Sequence, residues 1–225
     1  MTPNRGGTET FSMNLFNALR KKYKSVDITF LNIWKEDIAY KNEIIENGGH
    51  ILNYQMPTGI KNMVFGHNLA KKLFSVYKFD AIHINANYLL PSFFAIAAKN
   101  SGVTKVIFHA HNTSYGNRSF LKKSILKSIA ILQRKKLNNK NIQLLAASTE
   151  AGNWMFRKLD FTVITNGIEV EKFNFDRDIR NEVRRNLNIP EDSKVIISVA
   201  RIEYQKNHEK IISIFNELYY KKNII

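Results

Sequence analysis

No cysteine occurs in the 225 residues, which excludes a disulfide framework and any thiolate metal site and suits a reducing compartment. Long apolar runs are missing as well: none approaches the ~18 residues that a membrane span needs. There is no Gly-x-Ser-x-Gly nucleophile elbow and no Gly-x-x-x-x-Gly-Lys phosphate loop, so two common hydrolase and nucleotidase signatures are excluded. No internal repeat or low-complexity tract appears. Acidic residues are scarce, 19 Asp+Glu against 34 Lys+Arg, and paired carboxylates at a spacing suited to a two-acid hydrolase are not found; Glu9 and Glu150 stand alone. The opening stretch, Met1 to Thr10, is polar and glycine-bearing, unlike a secretory leader.

What is present is globular: 44% hydrophobic and 12% aromatic residues, enough to build a core in one large or two smaller domains. The net charge of +15 is uneven. Residues 1–175 hold 24 of the 34 Lys+Arg and 11 of the 19 Asp+Glu, a local excess of +13. Such a field favours nucleic acid, an anionic membrane surface or phosphorylated ligands. Nucleic acid is the weakest of the three, because the cations do not interleave with aromatics on a strand and no recognition module is readable.

Along the chain, apolar patterning predicts alternating helices and strands. Phe11, Leu15, Phe16 and Leu19 mark a helix, and Val26 to Ile33 a strand. A polar helix at 37–47 ends at Gly48-Gly49, before a short strand at 50–54. Met63 to Tyr77 reads as a helix, Ala81-Ile82-His83-Ile84-Asn85 as a strand, and Pro91 to Lys99 as a small-residue helix. Strands at 103–108, 142–147 and 161–165 alternate with helices at 120–137 and 149–158. This order predicts an α/β fold whose parallel sheet is wound on both faces. Asn166-Gly167 interrupts the pattern where the charge balance also changes. A first domain at 1–166, a hinge or linker at 167–193 and the start of a second α/β domain at 194–225 are therefore expected. Within the last, Lys194 to Ala200 reads as a buried strand leading through Arg201, Ile202-Glu203-Tyr204-Gln205 and Lys206 into a helix.

Four sites carry candidate chemistry. Arg201 and Lys206, between a strand end and a helix start, fit a phosphate or diphosphate, or are simply solvated cations. Gly6-Gly7 before a helix frees backbone N–H groups for an anion, or forms an ordinary helix start. His109 and His111 flank Ala110 at a strand end; general base, hydrogen-bond donor and loop residue all fit, while no carboxylate or third histidine at ligand spacing supports a metal. From Asn117 to Asn141 the chain carries Arg118, Lys122, Lys123, Lys127, Arg134, Lys135, Lys136 and Lys140 without one acid, around an apolar stripe of Leu121, Ile125, Ile129 and Leu132. That helix suits either anionic lipid or ordinary packing on the sheet.

In order, the chain carries Gly6-Gly7-Thr8-Glu9, His109-Ala110-His111-Asn112, Ala147-Ser148-Thr149-Glu150, Val163 to Glu169 with Phe173, and Val199-Ala200-Arg201 with Lys206-Asn207. The series resembles the retaining family 4 glycosyltransferases of GT-B fold, in particular the bacterial capsule and exopolysaccharide branch. The resemblance implies a Rossmann-like acceptor-side domain followed by the beginning of a Rossmann-like nucleotide-sugar domain. It assigns Arg201, Lys206, Gly6 and Gly7 to the donor diphosphate, His111 (His109 second) to the transferred sugar, and Asn166 and Gly167 to the hinge. Lys122, Lys123 and Lys127 would face the inner leaflet, where lipid-linked acceptors reside, giving a cytoplasmic, peripheral location. No cofactor or metal is implied; the nucleotide-sugar is a substrate, and a lipid-linked or saccharide acceptor is the second. The family's first strand would precede Gly6, and its paired acidic motif would lie beyond residue 225. The 225 residues are therefore expected to be part of such an enzyme and inactive by themselves. A GT-B-type sugar epimerase and a basic, non-enzymatic binding module are the alternatives.

Overall fold

The structure, a computed structural model, describes residues 1–57, 59–116, 118–138, 141–203 and 206–222. Asn117, Lys140, Tyr204 and Gln205, named above, lie outside them. The chain divides into two units, Met1–Ile168 and Glu169–Ile225.

The first unit alternates helices and strands: α1 (Gly7–Lys22), β1 (Thr29–Asn32), α2 (Lys41–Glu46), β2 (His50–Asn53), α3 (Gly59–Val76), β3 (Ala81–Ala86), α4 (Ser92–Asn100), β4 (Lys105–Ala110), α5 (Phe120–Asn138), β5 (Gln143–Ala146), α6 (Thr149–Phe156) and β6 (Thr162–Val163). All paired strands are parallel, as helical crossovers require. They form two sheets rather than one, β1-β2 and β3-β4-β5-β6. Leu31, Ile33, Leu52 and Tyr54 of the first sheet region pack on the core of the second. The polar helix expected from residue 37 starts only at Lys41, because Tyr40 takes a left-handed conformation (φ 62°) that an α-helix cannot include.

The strands β3 and β4 are two-faced. Ile82, Ile84 and Ala86 with Val106, Phe108 and Ala110 belong to a core that also holds Phe93 and Phe94 of α4 and Met155 and Phe156 of α6. The rings of Phe108 and Phe156 meet edge to face at 6.2 Å. Each such ring taken fully from water contributes about 1.5–3 kcal/mol. The alternate residues point the other way, toward α1.

The second unit holds a 3₁₀ turn at Val170–Phe173, α7 (Arg177–Asn186) and α8 (His208–Lys222). Asp176 caps α7, its Oδ1 accepting from the N–H groups of Asp178 and Ile179 at 2.9 and 3.0 Å. Arg184 Nη2 donates to the carbonyl of Pro190 at 2.7 Å, tying the turn at 190–193 to α7. The strand expected at Lys194–Ala200 is not formed: no strand among the described residues pairs with it, and Val195, Ile196, Ile197 and Val199 are exposed. A strand exists only through its ladder, so apolar β-branched sequence without a partner stays an unpaired segment. None of the described residues after 168 is buried.

Candidate active site

The polar face of the β3–β4 pair carries His83, Asn85, His109 and, one residue beyond β4, His111. Register sets Asn85 opposite His109, and period-two alternation brings the other two histidines to the same side. The His83 and His109 rings stack at 5.3 Å with 10° between planes. His109 and His111 are 4.1 Å apart. His83 Nε2 and His109 Nδ1 share a hydrogen bond of 3.2 Å.

Helix α1 closes over this face. The Phe11 ring meets His109 and His111 at 5.0 Å each and His83 at 6.1 Å. Ser12 Oγ accepts from Asn85 Nδ2 at 3.0 Å, and His111 Nε2 lies 2.8 Å from Asn85 Oδ1. Burial lowers the His83 pKa to about 4. His111 falls to about 4 through burial, with His83 adding repulsion. His109 falls to about 3 through burial first and then its two histidine neighbours, against a weak upward pull from the Ala146 backbone. Among the described residues no aligned hydrogen bond reaches His109 Nε2. All three rings are therefore neutral at pH 7. The sequence reading placed His109 and His111 alike at a strand end. They differ: His109 lies inside β4 with no exposed surface, while His111 is half-buried beyond it.

The glycine pair leads straight into α1. Gly6 is the N-cap residue in extended conformation and the helix starts at Gly7. Glu9, in the first turn, is buried and holds Thr2, accepting from its hydroxyl at 2.8 Å. A side chain on Gly6 would come within 2.9 Å of Glu9 Oε2, whereas Gly7 faces open space. The Arg5 guanidinium stacks over Tyr40 at 4.7 Å.

In the second unit, Arg201 and Lys206 occupy the exposed loop before α8. Arg201 Nη1 pairs with Glu203 Oε1 at 2.8 Å. The Arg201 carbonyl accepts from His208 Nε2 at 2.8 Å, and the Lys206 N–H donates to the Glu203 carbonyl at 2.9 Å. Asn207 (φ 46°) then caps α8 through its Oδ1. Asn166 and Gly167 fall just before the division between the units, and the Gly167 carbonyl accepts from Asn14 Nδ2 of α1 at 2.9 Å.

On α5, Lys122 and Lys127 are exposed and Lys123 is half-buried. Phe120, Leu121, Ile125, Ile131 and Leu132 are also exposed, while Ala130 and Leu137 are buried. The helix thus packs by its C-terminal half, Arg134 Nε donating to the Met155 carbonyl at 2.7 Å, and much of the apolar stripe faces solvent.

A depression of about 290 Å³ is lined by Asp37, Lys41, Ile45 and His50, but Asp37 and Lys41 already neutralise each other at 2.9 Å, so it offers no free charge. Among the described residues no group of three His, Asp or Glu converges to hold a metal ion.

His83, Asn85 and Ser12 were not singled out from sequence. The available signal is the strict alternation Ile82-His83-Ile84-Asn85, with polar residues at the same parity as His109-x-His111 once the two strands pair.

A profile described as Glycosyltransferase Family 4 matches residues 5–172. EpsF of Bacillus subtilis (strain 168), whose name assigns it provisionally to the glycosyltransferases, is 30% identical over 217 residues, 94% of this chain and 55% of its own length. The chain thus spans about half of that relative. Crystal structures of Anabaena Alr3699/HepE are similar in fold. The complex with UDP and glucose has a TM-score of 0.57 at 16% identity, covering 83% of this chain and 48% of that one. The complex with UDP has 0.59 at 15%, covering 84% and 48%.

Proposed function

The chain belongs to glycosyltransferase family 4, and on that premise we propose that it serves sugar transfer, with retention, from a nucleotide-sugar to a saccharide or lipid-linked acceptor. The observation that carries this reading is the family match itself, because residues 5–172 contain the whole histidine face and the glycine-started helix over it. Glycosyl transfer needs two things from a protein. One is a polar group that orients the sugar. The other is positive charge for the departing diphosphate. His111 is proposed for the first, since His109 is sealed within the strand. Arg201 and Lys206 are proposed for the second, with the N–H groups behind Gly6 and Gly7 as an additional anion contact. Arg201 would have to exchange Glu203 for phosphate oxygens, a favourable trade for a fork that binds two oxygens at once.

The UDP complexes of Alr3699/HepE make UDP the first probe. Calorimetric titration of UDP and other nucleoside diphosphates into the protein should show binding that weakens on Arg201→Ala. Hydrogen bonds to a charged group contribute about 1.5–3 kcal/mol, so the expected loss is roughly 10- to 150-fold. Unchanged affinity would remove Arg201 from the donor site. His111→Ala should spare nucleoside diphosphate affinity and, in a form of the protein that transfers labelled sugar, should abolish that transfer.

An anionic membrane surface is proposed as the second partner, through α5. Exposed Phe120, Leu121, Ile125 and Leu132 beside Lys122, Lys123 and Lys127 combine the insertion and the charge that interfacial helices use. No helix among the described residues is long and apolar enough to cross a membrane, so any attachment through the described helices would be peripheral.

A further inference from the structure

The hydrogen-bond chain from α1 to the histidine face runs in one direction only. The Ser12 hydroxyl has one proton, and it goes to the Thr8 carbonyl at 2.9 Å. A carbonyl cannot donate, so Ser12 Oγ must receive its remaining hydrogen bond as an acceptor. Asn85 lies 3.0 Å away and meets it with Nδ2. This fixes the carboxamide, leaving Oδ1 turned to His111 Nε2 at 2.8 Å. An amide oxygen only accepts, so the proton of the neutral His111 ring is on Nε2. Nδ1 is then a bare lone pair, and among the described residues nothing donates to it.

We propose that Asn85 is a positioning residue that sets the tautomer of His111, with Ser12 as the group that orients Asn85. The ring thereby presents an acceptor, at Nδ1, to whatever binds beside it. That choice has a consequence for ligand class. An acceptor nitrogen on an uncharged ring takes the hydroxyl of a sugar and repels the oxygens of a fully ionised oxyanion, which have no proton to offer. The proposal rests on the reading of His111 as the sugar-side residue, and it deepens that reading by stating which atom meets the sugar and in which sense. The titratable groups facing His111 are His83 from β3 and His109 from β4; α1 contributes Phe11 and Ser12, neither charged. The ring's neutrality thus comes from its surroundings, and its tautomer from Asn85.

Nitrogen-15 NMR of the histidine-labelled protein reads this without any assay of transfer. At pH 7 His111 should show a single Nε2–H tautomer. Ser12→Ala frees the carboxamide to rotate and should give a mixture of the two tautomers. Asn85→Asp should raise the His111 pKa by about one unit or more, as a carboxylate within hydrogen-bonding range does. Inorganic sulfate, fully ionised at pH 7, should leave the His111 resonances unmoved at millimolar concentration. An Nδ1–H tautomer in the unmodified protein, an unaltered tautomer in Ser12→Ala, an unmoved pKa in Asn85→Asp, or a sulfate-induced shift to imidazolium would each overturn the proposal. Ser12→Ala removes one hydroxyl from a half-buried site, so it keeps the test available if Asn85→Asp does not fold. Should the tautomer pattern hold while His111→Ala leaves transfer intact, the transfer role fails and the positioning stands.

Discussion

His83, His109 and His111 resist protonation because the folded chain takes them out of water, and this ties stability to pH. Their ordinary value is 6.5, and folding lowers it to about 4, 3 and 4. Above pH 6.5 neither the folded nor the unfolded chain binds these protons. As pH falls below 6.5 the unfolded chain takes them up and the folded chain does not, so stability declines until the folded rings titrate near pH 4 to 3. Each ring contributes at most about 1.4 kcal/mol per pH unit, with less from half-buried His83 and His111 than from His109. Urea midpoints should drop between pH 7 and about 5.5, and His83→Gln should flatten that slope; equal midpoints at both pH values would contradict the burial argument. Glycine positions test packing in the same way. A Cβ at Gly152 would overlap the Phe161 ring, so Gly152→Ala should destabilise by about 1–3 kcal/mol. At Gly6 the obstacle is only the movable end of Glu9, so Gly6→Ala should cost about 1 kcal/mol, by weakening the bond from Thr2. Thermal denaturation of the two variants ranks them.

At the scale of the element, α5 separates two roles that its sequence merges. Its stripe has the width that sheet packing needs, yet Leu121 and Leu132 face solvent while Ala130 and Leu137 are buried. Leu137→Ala should therefore cost about 2–5 kcal/mol. Leu121→Ser and Phe120→Ser should change stability by no more than about 0.5 kcal/mol. The proposed membrane surface predicts the opposite ranking in flotation with vesicles rich in anionic lipid. There Leu121→Ser, Phe120→Ser and Lys122→Glu should each release the protein, and high salt should do the same. Retention of all three variants on the vesicles would exclude α5 as the docking helix. The β3–β4 pair makes a related point, since one pair of strands serves two environments through alternation: a sealed apolar face under α4 and α6, and a polar face under α1.

At the scale of the whole molecule, the buried core lies within Met1–Ile168, and none of the described residues in the second unit is buried. Local stability follows burial and ladder hydrogen bonds. Amides of β3, β4 and β5 should exchange slowest in hydrogen-exchange mass spectrometry. Those of Val195, Ile196, Ile197 and Val199 should exchange within the shortest labelling times. Protection there comparable to β4 would mean that the segment is paired in solution.

The sequence alone determined the order of elements in the first unit, because helix and strand are written into it as periods of 3.6 and 2 that each segment carries locally. It also determined the candidate chemistry at Gly6-Gly7, His109-x-His111 and Arg201 to Lys206, since residue type and spacing survive without a fold. Tertiary structure decided what depends on a neighbour. Lys194–Ala200 has the composition of a buried strand and is none, because pairing belongs to two segments and not to one. Two histidines that look equivalent in the chain became a sealed one and a half-buried one, because register and the placement of α1 set their exposure. Asn85 and Ser12 carried no signal of their own; their meaning arises only where a strand and a helix 73 residues apart in sequence bring a carboxamide, a hydroxyl and an imidazole within hydrogen-bond reach.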